Sequence, residues 1–93
     1  MDTARYRAFL AAVDTGSFTR AAEVLNYSTS GVSQLIQSLE QDLGLPLLTR
    51  SRRGVSPTPA GETLLPAIRA VVQQEERVLQ TASDLRSEER RVG

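Results

Sequence analysis

Apolar residues recur at helical spacing along almost the whole chain, and the spacing fails over a single stretch, residues 45–55. A chain with this pattern is committed to packed helices around one short extended element. The first segment, residues 3–14, carries Tyr6, Phe9, Leu10 and Val13 at i, i+3, i+4 and i+7, and Gly16 is suited to end it. Ser17 suits the N-cap of a short second helix over 18–25, whose inward face is Phe18, Ala21, Ala22 and Leu25. The paired alanines are small enough to let another helix come close. Asn26 and Tyr27 break the pattern. Ser28 then caps a third helix reaching residue 43, with Val32, Leu35, Ile36, Leu39 and Leu43 as its apolar stripe and Gly44 as its end.

In the aperiodic stretch, Leu45, Leu47 and Leu48 anchor an extended segment, residues 49–53 are polar and basic, and Gly54 permits a tight turn. Val55 and Ser56 form the return strand of a small β-hairpin. Thr58 and Pro59 then open a last helix, expected over 59–85, roughly 27 residues and about 40 Å long. Pro66 leaves the Glu62 carbonyl without its donor; it either bends the first turns or marks where the regular helix begins. Leu64, Ile68, Val71, Glu75, Val78, Ala82 and Leu85 are spaced 4-3-4-3-4-3, a heptad-like seam interrupted by Glu75. So long a helix outruns a body of three short ones. Its seam is therefore expected to meet a second copy in a homodimer, with the first turns packed on their own domain. Glu75 is expected at the seam's edge or in solvent, because burying it there is costly. Residues 87–93 lack an amphipathic pattern and are expected to be frayed or linker-like.

Net charge is zero, yet the charge is unevenly placed. All 11 basic residues are arginine. Arg50, Arg52 and Arg53 lie close together with no acidic residue between Asp42 and Glu62, while Glu75, Glu76, Asp84, Glu88 and Glu89 gather late in the chain. There is no cysteine or histidine, so disulfides and the usual zinc sites are excluded; neither cofactor nor metal is expected, and a cytoplasmic location fits. No apolar run approaches the roughly 20 residues of a membrane span, and Arg5, Arg7, Asp14 and Arg20 interrupt any signal-peptide core. The acidic pairs Glu75-Glu76 and Glu88-Glu89 read as solvated charge. With no histidine base and no glycine-rich phosphate loop, no enzyme is expected.

Two short helices joined by a tight break are the organisation of a helix-turn-helix, whose second helix lies in the DNA major groove. Such a helix needs short hydroxyl and amide side chains near its N-terminus, able to donate and accept at base edges. Thr29, Ser30, Ser33, Gln34 and Gln37 meet that need; a solvated face rich in serine and glutamine would read the same way. Arg50, Arg52 and Arg53 suit phosphate contact or minor-groove insertion, or else form a solvated basic loop. The expected fold is mainly α: a winged helix-turn-helix with a short two-stranded wing and a long C-terminal helix. The expected function is sequence-specific binding of double-stranded DNA and transcriptional regulation. The rival is a helical protein-interaction module whose basic loop is incidental.

Several blocks resemble the LysR-type transcriptional regulators. They are Gly16-Ser17-Phe18-Thr19-Arg20-Ala21-Ala22-Glu23-Val24-Leu25, then Val32-Ser33-Gln34-Leu35-Ile36-Gln37-Ser38-Leu39-Glu40, then Leu43-Gly44-Leu45-Pro46-Leu47-Leu48-Thr49-Arg50, and last Thr58-Pro59-Ala60-Gly61-Glu62. They match the family in order and spacing across nearly the whole chain. The resemblance implies a winged helix-turn-helix over 1–58, a linker helix over 59–87 that pairs antiparallel in a homodimer, and a connection over 88–93 to an effector domain lying beyond this chain. It also implies an interrupted dyad DNA site, and leaves room for a higher oligomer of a full-length protein. By position, DNA contacts fall to Ser28, Thr29, Ser30, Ser33, Gln34 and Gln37, and to Arg50, Arg52 and Arg53. Dimerisation falls to Leu64, Ile68, Val71, Val78, Ala82 and Leu85. Many members have glutamine in place of Thr29, proline or serine at Ser30, arginine in place of Gln34 and phenylalanine in place of Leu48. The differences at Thr29 and Gln34 bear on base preference rather than on fold.

Overall fold

The computed structural model describes residues 3–91. In chain order these form α1 (Ala4–Thr15), α2 (Phe18–Leu25), α3 (Thr29–Leu43), β1 (Leu48–Ser51), β2 (Gly54–Pro57) and α4 (Pro59–Arg91). The helix boundaries follow from side-chain capping. The Ser17 hydroxyl accepts from the Arg20 amide at 3.2 Å, and that of Ser28 from the Gly31 amide at 3.0 Å. Gly16, Asn26 and Gly44 end the first three helices in the left-handed conformation. At the head of α4 the Thr58 hydroxyl accepts from the Gly61 amide at 3.0 Å and donates to the Pro46 carbonyl at 2.7 Å. Regular helix thus starts at Pro59, and Pro66 lies inside it.

Helix α1 is buried on two faces. Ala8, Ala11 and Ala12 pack against Ala21 and Ala22 of α2 and Val32 and Ile36 of α3. Phe9 and Leu10 pack against Leu39, Leu47, Ile68 and Val72. The apolar stripe of α1 marks only the second face; the first is built of alanines, whose periodicity is faint but whose size permits close helix approach. Fully burying Phe9, Leu39 or Leu47 contributes about 1.5–3 kcal/mol each.

Two parts of the expected stripe and hairpin are corrected. Leu43 is 40% exposed, because the chain reverses at Gly44 and Leu47 fills the core beside Leu39 instead. Leu45 is also exposed and lies outside β1. The inward-turned polar group at this corner is Glu40, whose carboxylate accepts from the amides of Leu47 at 2.7 Å and Leu48 at 3.3 Å. The antiparallel strands pair Leu48 with Pro57 through Ser51 with Gly54, so pairing extends into the polar stretch and the turn is Arg52 and Arg53 alone. Gly54 has φ 118°, and a Cβ there would stand 2.4 Å from the Gly16 carbonyl oxygen. The next amide, of Val55, donates to that same oxygen at 2.9 Å, which fastens the hairpin to the α1–α2 turn.

Helix α4 begins packed and ends projecting. At Gly61 a Cβ would lie 2.2 Å from the Leu47 carbonyl oxygen, so only glycine lets the first turn seat against the lead into β1. Ile68 and Val72 are buried, and Leu64 is half-buried beside them. Leu64 and Ile68, assigned to the seam by spacing, therefore face the chain's own core, and Val72, off the seam, joins them. Flanking ion pairs hold α4 along α1: Arg69 to Asp14 at 2.6 Å, and Arg7 to Glu75 at 2.7 Å. Glu75 is thus not solvated; its side chain is 12% exposed and also accepts from the Thr3 hydroxyl. The Thr3 hydrogen bond and then Arg7 hold the Glu75 carboxyl below its ordinary pKa, and the bond to Glu75 raises that of Arg7.

The molecule is 59 Å along its longest axis; Val78 still borders a groove with Thr3 and Tyr6, and beyond it the helix is largely exposed. It is helical to Arg91, past residue 87 where fraying was expected; regular backbone hydrogen bonding continues where the side-chain pattern stops. Of the expected connection over 88–93, Val92 and Gly93 lie outside the described residues. No helix among the described residues is long and apolar enough to cross a membrane.

Candidate nucleic-acid interface

With Val32, Ile36 and Leu39 turned into the core, the opposite side of α3 faces outward. Thr29, Ser30, Gln34 and Gln37 are exposed, and Ser33 is half-buried. Ser28, also exposed, is engaged as the cap of the helix. No charged side chain occurs from Ser28 to Leu39, so this surface offers only neutral hydroxyl and amide groups. Its free amides at the helix start add a positive end to the dipole.

The wing sets charge beside that surface. Arg50, Arg52 and Arg53 are all exposed, and none is paired with a carboxylate among the described residues. The three are not equivalent. Arg52 and Arg53 form the hairpin turn, whereas Arg50 sits on β1 with its Cζ 4.2 Å from the centre of the Phe18 ring. Arg50 lines a cleft of about 280 Å³ with Thr29 of α3 and with Ser17, Phe18 and Thr19 at the start of α2. The cleft therefore joins the wing to the first turns of both helices. Sequence reading assigned Ser17 to a cap and Phe18 to the core, and gave Thr19 no role. The available signal was a second hydroxyl residue, Thr19, two positions past the Ser17 cap.

Four of the expected dimerisation residues lie on a different surface. Val71, Val78, Ala82 and Leu85 are exposed on α4, together with Leu79, while Leu64 is half-buried and Ile68 buried against the chain's own core. Among the described residues no cluster of three or more potential metal ligands is present.

A helix pair with a tight turn, backed by a third helix and flanked by a two-stranded hairpin, defines a winged helix-turn-helix protein. The chain belongs to the LysR family: residues 3–62 match the family model for bacterial regulatory helix-turn-helix proteins of the lysR family. It is 43% identical over 74 residues to the nitrogen assimilation regulatory protein nac of Escherichia coli K12, covering 80% of this chain and 24% of that protein. Among solved structures, the Corynebacterium glutamicum OxyR C206 mutant superposes with a TM-score of 0.86 at 36% identity, covering 89% of this chain and 27% of that one. The BenM_DBD/catB site 1 DNA complex superposes at 0.84 with 31% identity, covering 94% of this chain and 98% of that one. The chain spans about a quarter of the length of the curated relatives it matches.

Proposed function

We propose that this chain binds double-stranded DNA with sequence preference, as a homodimer, and serves transcriptional regulation in the bacterial cytoplasm without catalysing a reaction or using a cofactor. The observation that carries the reading is the shared cleft: Thr29, at the start of an uncharged polar helix face, and Arg50, on an unpaired arginine wing, line the same surface. A duplex laid there meets neutral groups suited to base edges and cations suited to phosphates. In this reading Ser30, Ser33, Gln34 and Gln37 face the major groove, Ser28 and Thr29 sit at the helix entry, and Arg52 and Arg53 reach phosphate or the adjacent minor groove. The BenM_DBD neighbour, a complex with DNA, supports duplex DNA as the partner.

Residues 1–58 then act as the reading domain and 59–87 as the linker helix. The exposed Val71, Val78, Ala82 and Leu85 meet a second α4 antiparallel, which fixes the distance between half-sites in an interrupted dyad. Residues 88–93 lead towards an effector domain of a longer protein, where higher assembly would arise. The test is selection of bound duplexes from a random pool, followed by affinity measured across salt. The expected result is an enriched dyad whose log K falls linearly with log salt. Absence of enrichment together with salt-independent behaviour would leave the exposed apolar row of α4 as the chain's functional surface and favour a protein-interaction module.

A further inference from the structure

The Arg50 guanidinium lies with its Cζ 4.2 Å from the centre of the Phe18 ring, close enough for cation–π attraction. A planar guanidinium suits this better than an ammonium. Its N–H donors lie in its own plane, and no carboxylate or carbonyl among the described residues takes them. Both partners are anchored. Phe18 is the first residue of α2 and packs half-buried against the alanine and valine core. The hairpin bearing Arg50 is tied back by the Val55 amide on the Gly16 carbonyl, 2.9 Å away, so both hang from one turn. The lining of the cleft they share includes Ser17, Thr19, Thr29 and Ser51, beside two glycines and Val55, and contains no carboxylate residue, a setting for an anion.

We infer that Phe18 is a positioning residue for Arg50: its ring holds the guanidinium ready to grip one backbone phosphate of the duplex that α3 enters. This rests on the DNA-binding reading and adds how one contact is prepared. A free arginine loses rotamer freedom when it binds, whereas one already held does not, so the stack is worth about 2- to 10-fold in affinity per arginine. Because the target is phosphate, the effect is the same for every duplex sequence.

The test uses the 93-residue chain and a duplex it selects. Phe18→Leu keeps apolar volume without the ring, and Phe18→Tyr keeps the ring. Phe18→Leu is expected to weaken binding by about 2- to 10-fold on all duplexes, with the salt slope unchanged because the charge remains. Phe18→Tyr is expected to bind as the unaltered chain does. Arg50→Ala should lower the salt slope by about 0.9 per contact, and adding Phe18→Leu to it should cost nothing more. In the DNA-free protein, the Arg50 Hδ protons should show an upfield ring-current shift that Phe18→Leu abolishes. Additive losses in the double variant, or full affinity of Phe18→Leu, overturn the inference. Should Phe18→Leu fail to fold, Arg50→Lys carries the test: it keeps charge and ring, and binding equal to arginine's overturns the stack's role. If the unaltered chain selects no duplex, the DNA-binding reading falls and the phosphate contact with it, while the ring-current shift still reports whether the stack exists.

Discussion

Gln34 shows how far a single residue's role can be read from its neighbours. Val32, Ile36 and Leu39 are buried, and that commitment turns Ser30, Gln34 and Gln37 outward on α3. Gln34→Ala should therefore leave thermal unfolding within about 0.5 kcal/mol of the unaltered chain, as for other exposed positions. If the amide pairs bidentately with adenine, discrimination at one base pair per half-site should fall by about 1–3 kcal/mol, read by competition against single-base variants of a selected duplex. Loss of folding would mean the helix face is misplaced, and unchanged base preference would shift the reading to Thr29, Ser30 and Ser33. The α3 stripe was legible because it depends on a period within one helix. Glu75 was not, because its environment comes from Thr3 and Arg7, 72 and 68 residues away, and no local pattern encodes that meeting. Glu40 was hidden for a related reason: a carboxylate that accepts from the two amides leading into a later strand looks, in sequence, like any helical surface charge.

Among the elements, the helices announced themselves at their ends. Serine caps at 17 and 28 and the Thr58-Pro59 pair mark starts that the backbone follows, because each satisfies an amide left open by the helix. The wing was legible as a hairpin but not in register, since strand pairing is set by Gly54 passing the Gly16 carbonyl, a meeting of distant segments. Its tip carries a prediction. Replacing Arg52 and Arg53 with alanine removes two exposed cations while leaving the paired strands intact. Binding to all duplexes should weaken, with the salt slope reduced by about 0.9 for each phosphate no longer neutralised and base preference largely kept. Unaltered affinity at low salt would assign the tip to solvent. The α1–α4 joint carries another prediction. The carboxyl of Glu75 has its folded pKa lowered, so its stabilising effect is complete above the unfolded value of about 4.3 and disappears as pH falls through the lower folded value. Amide hydrogen exchange should therefore report looser docking of α4 on α1 in acid below about pH 4.3, and Glu75→Gln should flatten that part of the profile. An identical acid profile in the variant would remove Glu75 from the joint.

At the scale of the whole molecule, α4 is two helices in one. Its first half is core, through Ile68 and Val72; its second half has almost no body beneath it, and Val71, Val78, Leu79 and Leu85 are 43%, 52%, 59% and 59% exposed. A helical stretch with so little packed against it is marginal in water on propensity alone, which is consistent with the proposed partner helix. Val71, Val78 and Leu85 recur every seventh residue, with Ala82 between, the repeat that suits a neighbouring helix. Heptad spacing made this row visible, but it also swept in Leu64 and Ile68, because spacing does not distinguish a partner's surface from the chain's own. The dimer prediction accordingly rests on the exposed part. Val71→Glu with Val78→Glu places two charges per chain on that row, where association would bury them unpaired at a cost of several kcal/mol. The body should be indifferent, since neither valine belongs to its core, and near-unchanged unfolding of the α1–α3 core would confirm that the variant is intact. Sedimentation should then find monomers at concentrations where the unaltered chain is dimeric. DNA affinity should fall towards that of a single half-site, because two linked heads no longer bind as one. A variant that still sediments as a dimer would move the proposed interface off this face of α4, and with it the proposed ruler for half-site spacing.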